Sequence, residues 1–66
     1  MSNQEDMLLD MWHIGDRVEL APHLDAWMAG DRYGNVESKG RRYIHVRMDK
    51  SGKLRKVSPE NLTRIE

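Results

Sequence analysis

The chain is 66 residues long and contains no cysteine, so it holds at most one domain and neither a disulfide nor a thiolate metal site. Its formal net charge of zero hides an uneven layout: residues 1–38 carry two basic and eight acidic side chains, whereas residues 39–66 carry nine basic and three acidic ones. No apolar run approaches the roughly 20 residues that cross a bilayer, and no basic, apolar signal sequence opens the chain, which favours a cytoplasmic protein.

The N-terminal segment, residues 1–13, is expected to be a short helix or a tail in front of a domain formed by residues 14–66. Ser2 or Asn3 is a suitable N-cap, and acidic residues follow in the first turn, where they complement the helix dipole. An apolar stripe at helical spacing covers one end of the domain or docks on a partner protein. The stripe comprises Met7, Leu8, Met11 and Trp12.

The first strand is predicted at residues 17–21, where polar and apolar residues alternate and place Val18 and Leu20 inward. Pro22 ends this strand because proline cannot donate to a further rung of the ladder. Residues 22–32 follow as a long loop, with one helical turn around residues 24–28 that folds Trp27 and Met28 back over the core.

The next two strands are predicted at residues 33–38 and 43–48. Gly34 lies inside the earlier strand, which indicates a bulge or a close approach of two backbones. Residues 39–42 form the turn between the strands. The later strand alternates strictly, so Ile44, Val46 and Met48 are expected on one face, and Tyr43, His45 and Arg47 on the other.

The C-terminal part of the chain is predicted to complete an antiparallel meander. Residues 49–52 form a hairpin turn that leads to a strand at residues 54–57. Pro59 directly follows a serine, which is typical of the first position of a single 3₁₀ or α-helical turn. Residues 63–65 close the chain as a short last strand.

Five short strands, with a long loop after the first and one helical turn before the last, describe an all-β fold of the SH3-like barrel type. Residues 14–20 and 33–36 resemble the opening strand and the Gly-x-Val element of KOW-type SH3-like domains, and residues 59–62 resemble the one-turn helix of SH3-type barrels. The resemblance implies a binding domain, often of RNA, DNA or ribosome- and polymerase-associated proteins, and not an enzyme. Similar small domains also occur in phage and prophage genomes. The loop at residues 22–32 is longer than in KOW domains, and the residues that bind proline-rich peptides in signalling SH3 domains are not recognisable.

Nucleic acid is the preferred ligand because the predicted meander is rich in outward basic residues. Neighbouring strands lie about 4.8 Å apart, so these cations are expected to share one face or rim that neutralises phosphates. Tyr43 and His45 are candidates for stacking on unpaired bases of RNA or DNA. The predicted phosphate contacts are Arg41, Arg42, Arg47, Lys50, Lys53, Arg55 and Lys56.

The alternative function is that of a protein-interaction adaptor or inhibitor, acting as a monomer or weak homodimer. Tryptophan is enriched at interaction hot spots, and the dipolar charge layout suits a complementary partner. In a chain without phenylalanine, however, both tryptophans are also candidates for the core. The predicted contacts are Met7, Leu8, Met11, Trp12, Trp27 and Met28.

Catalysis, cofactor binding and metal binding are not predicted. The three histidines lack the helical spacing of a zinc site, and no carboxylate cluster accompanies them. No serine has a base at a recognisable spacing, and no glycine-rich phosphate loop is present.

Overall fold

The fold is taken from a computed structural model that describes residues 10–65. All strand pairs are antiparallel, and the strands lie in the order β4-β3-β2-β1-β5. The predicted all-β fold is confirmed, but no pairing joins β4 to β5 within the described residues, so the sheet is open. In chain order the elements are β1 (Arg17–Leu20), α1 (Asp25–Met28), β2 (Tyr33–Lys39), β3 (Ile44–Met48), β4 (Leu54–Val57), a 3₁₀ turn (Pro59–Asn61) and β5 (Leu62–Arg64).

The predicted N-terminal helix falls mostly on residues that the structure does not describe, among them Met7 and Leu8. Within the described range, helical backbone is present at residue 10 and ends before Trp12. Trp12 is 6% exposed and belongs to the hydrophobic core, whereas Met11 is exposed.

The core is formed by the inward-facing residues of every strand. The strict alternation of β3 buries Ile44, Val46 and Met48, as predicted, and Val18 and Leu20 of β1 face the same interior. Removal of these apolar side chains from water is the main force that holds so small a sheet together. The remaining members of the core are Trp12, Val36, Val57 and Leu62, with Leu24, Ala26 and Trp27 packed against its margin.

Gly34 allows β2 and β3 to approach each other closely. It pairs with Met48, and a Cβ atom at this position would lie 2.5 Å from the carbonyl oxygen of Arg47 and 2.7 Å from Cγ1 of Val46. The predicted close approach is therefore confirmed. The bulge in β2 lies elsewhere, at the register shift between Val36 and Ser38.

The hairpin between β3 and β4 contains a second irregularity of the backbone. Gly52 has φ of 74° and donates its N–H to the carbonyl of Met48 at 3.0 Å, while the Met48 N–H donates to Lys53 at 2.9 Å. This is the pattern of a G1 bulge, in which the first residue adopts a left-handed conformation that glycine tolerates. The turn fixes which backbone groups of β4 face β3.

Candidate nucleic-acid interface

Arg47 lies on the outer face of β3, as predicted, but its guanidinium is already bound within the chain. Its Nε and Nη2 donate to the two carboxylate oxygens of Glu37 at 3.0 and 2.7 Å, and its Nη1 donates to the carbonyl of Gly52. The hydrogen bond from Arg47 holds the pKa of Glu37 below its usual value. A phosphate would therefore have to displace a bidentate ion pair in order to reach Arg47.

The prediction that Arg55 points outward from the sheet is wrong. The register places it opposite the buried Val46, on the core-facing side of β4. Its Nε donates to Oδ2 of Asp31 at 2.8 Å, and the hydroxyl of Ser51 donates to the same oxygen at 2.9 Å. Asp31 is buried, and the hydrogen bond from Arg55 lowers its pKa. Arg55 therefore compensates a buried carboxylate.

Two more arginines among the described residues form ion pairs with carboxylates. Arg17 donates to both oxygens of Asp49 at 2.9 and 2.8 Å, and this hydrogen bonding lowers the pKa of Asp49. Arg64 donates to Asp16 at 3.2 Å and also to the carbonyl of Met11. Three of these four ion pairs join a carboxylate of the acidic half to an arginine of the basic half, so folding cancels much of the charge dipole seen in the sequence.

The remaining predicted phosphate contacts fall at opposite ends of β3, so the expectation of one common patch is wrong. Arg41 and Arg42 lie in the turn before β3, whereas Lys50 and Lys53 lie in or beside the turn after it. The five residues of β3 separate the two turns by roughly 15 Å at about 3.3 Å per residue. The predicted turns already imply this separation, because two turns that flank one strand of a meander lie at its opposite ends.

At the β3–β4 turn, Lys50 and Lys53 make no ion pair within residues 10–65, but acidic residues occupy the same end of the sheet. The ammonium of Lys50 rests over Gly30, where a Cβ atom would lie 2.8 Å from its Nζ. Asp49 precedes it in the chain, and the next residue, Ser51, binds Asp31. This end of the sheet therefore mixes both signs of charge.

The opposite end carries three cations, Arg41, Arg42 and Lys56, that have no acidic partner among residues 10–65. A hydrogen bond from the Gly40 N–H to the Tyr43 carbonyl, at 2.8 Å, closes the turn that presents Arg41 and Arg42. Lys56 reaches this end because it pairs with His45 across β3 and β4. We define the cationic tip as Arg41, Arg42, Lys56 and the adjoining ring of Tyr43, which is 43% exposed. None of its three cations makes an ion pair or hydrogen bond with another residue in the range 10–65.

His45 lies on the predicted outer face of β3, but its ring is not freely exposed for stacking on a base. The side chain is partly buried, and its Nδ1 lies 2.8 Å from the hydroxyl of Ser38 across the β2–β3 pair. Tyr43 is therefore the better stacking candidate of the two rings named from the sequence.

The residues predicted for protein binding divide into buried and exposed sets. Trp12 is buried under the guanidinium of Arg64, whose Cζ lies 5.0 Å from the ring centroid, so it cannot act as an accessible anchor in this fold. Trp27 packs on the margin of the core, and the expectation that Met28 covers the core is wrong because Met28 is 80% exposed. We define the aromatic patch as Trp27, Met28, Arg32 and Tyr33. Within it Arg32 lies 4.6 Å from the Trp27 ring centroid, and the Trp27 and Tyr33 centroids are 6.4 Å apart.

A groove of about 400 Å³ lies between α1 and β4 and was not anticipated from the sequence. Leu24, Asp25 and Ala26 border it together with all of β4, and Tyr43, Ser58 and Asn61 also contribute. These segments are far apart in the chain, and nothing in their local patterns indicates that they meet. The groove reaches the cationic tip through Tyr43 and Lys56, which belong to both.

Over residues 10–65, no group of three histidine, aspartate or glutamate side chains is arranged to hold a metal ion. In the same part of the chain, no helix has the length and apolar character needed to cross a membrane. Comparison of the sequence and structure with family models, curated proteins and solved structures finds no match.

Proposed function

We propose that the chain is a non-enzymatic nucleic-acid-binding module whose cationic tip contacts the phosphate backbone. The observation that carries this proposal is the grouping of three cations around an exposed tyrosine, none of them ion-paired within residues 10–65. Arg17, Arg47, Arg55 and Arg64 bind carboxylates of the chain itself, whereas the three cations of the tip surround an exposed tyrosine and have no such partner among the described residues.

The difference between paired and unpaired cations decides which of them binds phosphate at low cost. A phosphate at Arg47 must replace two charge-assisted hydrogen bonds to Glu37, and that exchange leaves the carboxylate without its partner. A phosphate at Arg41 or Arg42 replaces only water and condensed counterions. Three phosphate contacts give a slope of about −2 to −3 in a plot of log affinity against log salt concentration.

The fold gives the proposal further support. The strand order, the loop with α1 after β1, and the 3₁₀ turn before β5 agree with the SH3-like resemblance read from the sequence. We include in the proposal that the open sheet belongs to the SH3-like barrel class and is related to KOW-type domains. Nucleic-acid binding is among the functions that this resemblance implies.

The test compares charge reversal at the two ends of β3. Fluorescence anisotropy with labelled RNA and DNA would be measured for Arg41→Glu/Arg42→Glu and for the matched variant Lys50→Glu/Lys53→Glu. Both variants change the net charge by the same amount, so a difference between them reports position and not overall charge. We expect the first variant to bind at least tenfold more weakly than the second. Equal weakening of both, or no binding by the native protein at low salt, would refute the proposal.

Protein binding is a second candidate because the aromatic patch is exposed beside α1. Met28 and Tyr33 expose large apolar surfaces, and Arg32 lies over Trp27, a combination enriched at interaction hot spots. The discriminating variant is Met28→Asp, because this side chain is too exposed to hold the fold together. We expect it to abolish recovery of a stoichiometric partner without lowering the urea midpoint, and unchanged recovery would count against this function.

A further inference from the structure

The groove beside the cationic tip has one wall made of unpaired backbone. The Met48 N–H donates to Lys53, so Lys53, Arg55 and Val57 direct their backbone groups toward β3. The intervening residues, Leu54 and Lys56, direct theirs away from it. No backbone group elsewhere in residues 10–65 bonds to them, and both residues border the groove.

The rest of the groove combines an aromatic ring with short polar side chains. Tyr43 is exposed at the end nearest the tip, and Ser58, Asn61 and Asp25 add hydroxyl, amide and carboxylate groups. Its volume of about 400 Å³ lies within the range of about 300–1,000 Å³ that is usual for small-ligand sites. The site therefore offers a stacking surface, donors and acceptors within one concave space.

We infer that this groove receives one unpaired nucleobase, so that the ligand of the cationic tip is a single strand and not a duplex. The inference rests on the proposed function and adds the form of the nucleic acid to it. A base in a duplex is stacked and paired, and it cannot enter a groove without being pulled out of the helix. A base in a single strand is already available for stacking on an aromatic side chain.

Each part of the groove has a role in this arrangement. The base stacks on Tyr43, and its edge takes hydrogen bonds from the backbone N–H groups of β4 and gives them to the carbonyls. Asp25 accepts from an exocyclic amino group, which favours adenine, cytosine and guanine over uracil and thymine. Lys56, Arg41 and Arg42 hold the phosphates on either side of the base. This placement makes Tyr43 a binding residue and the β4 edge a source of base contacts.

An extended peptide added to the edge of β4 is the competing occupant, and the structure favours it less. Only Leu54 and Lys56 offer backbone groups to such a strand, so the added ladder would be very short. The three cations of the tip also lie at one end of the groove, beside the aromatic ring, whereas a strand would need complementary groups along its whole length.

The experiment measures the affinity of one labelled oligonucleotide as a single strand and after annealing to its complement. We expect the single strand to bind at least tenfold more tightly at the same salt concentration. Tyr43→Ala should weaken single-strand binding about 5- to 150-fold, the loss of one stacked base, and Tyr43→Phe should retain most of the affinity. Tyr33→Ala is the matched control, because Tyr33 is 44% exposed and lies away from the groove.

The outcomes separate this inference from the proposed function. Equal affinity for duplex and single strand, or native affinity in Tyr43→Ala with a normal urea midpoint, would overturn the base-binding groove while leaving phosphate contacts at the tip intact. Absence of binding to either form at low salt would overturn both. Binding of an acidic peptide that the single strand fails to displace would assign the groove to a peptide instead and would also overturn the inference.

Discussion

Replacement of Gly34 by alanine is the sharpest test of the sheet geometry. The new Cβ would lie 2.5 Å from the Arg47 carbonyl oxygen, about 1 Å short of an ordinary contact, and the obstacle is backbone that cannot rotate away. β2 must therefore move away from β3 in the middle of the sheet. Overpacking of this kind costs about 1–3 kcal/mol, which is a large share of the few kcal/mol that stabilise a domain of this size.

Thermal and urea unfolding, followed by the fluorescence of the buried Trp12, would measure this cost. A domain of this size loses about 4–8 °C in Tm for each kcal/mol, so Gly34→Ala should lower Tm by roughly 4–24 °C. Gly40→Ala is the matched control, since its Cβ would meet nothing closer than 3.4 Å. We expect that control to stay within about 0.5 kcal/mol of the native protein. Equal stability of the two variants would refute the close approach of β2 and β3.

Three further predictions concern the buried carboxylate and the core. The hydrogen bond from Arg55 lowers the pKa of Asp31 in the folded protein. The ionised Asp31 therefore stabilises the fold at any pH above the unfolded carboxyl pKa of about 3.9. This stabilisation disappears as the pH falls through the lower pKa of the folded state. Asp31→Asn should therefore lower the urea midpoint at neutral pH and flatten the decline of that midpoint between about pH 5 and pH 2. The control Asp25→Asn, at an exposed site, should keep the native urea midpoint at neutral pH. Parallel pH curves for the native protein and Asp31→Asn would contradict the Arg55 contact. Ile44→Ala should cost about 2–5 kcal/mol and leave little folded protein by circular dichroism, and a native-like urea midpoint would show that this position is not buried. In Trp27→Phe, iodide should quench the remaining Trp12 fluorescence only weakly, and strong quenching in the folded protein would place Trp12 at the surface.

The strands were predictable because their pattern is local. Alternation at residues 44–48 predicts β3 and its buried face, and the proline at position 59 predicts the 3₁₀ turn. Ser58 occupies the predicted N-cap position but makes no side-chain capping hydrogen bond. The bulge near Val36 was missed because it depends on how β2 registers with β3, which neither strand specifies alone.

The candidate site was only partly predictable from the sequence. The spacing of apolar residues shows which face of a strand is buried, but the spacing of charged residues does not show which of them pair with each other. The sequence shows that Arg47 and Arg55 belong to a basic half, but not that Glu37 and Asp31 return across the sheet to bind them. The separation of Lys50 from Arg41, by contrast, follows from the predicted turns on either side of the strand at residues 43–48. Arg41, Arg42, Tyr43 and Lys56 remain together in space, and that subset carries the proposal.

Chemical-shift mapping is the most direct measurement of the proposed site. The amide spectrum of ¹⁵N-labelled protein would be recorded while an unlabelled single strand is added at low salt. Binding at the cationic tip predicts that the largest shifts occur at residues 40–43 and 54–58, with small shifts at residues 49–53. Shifts centred on residues 49–53, on the aromatic patch or on no continuous surface would contradict the proposed function.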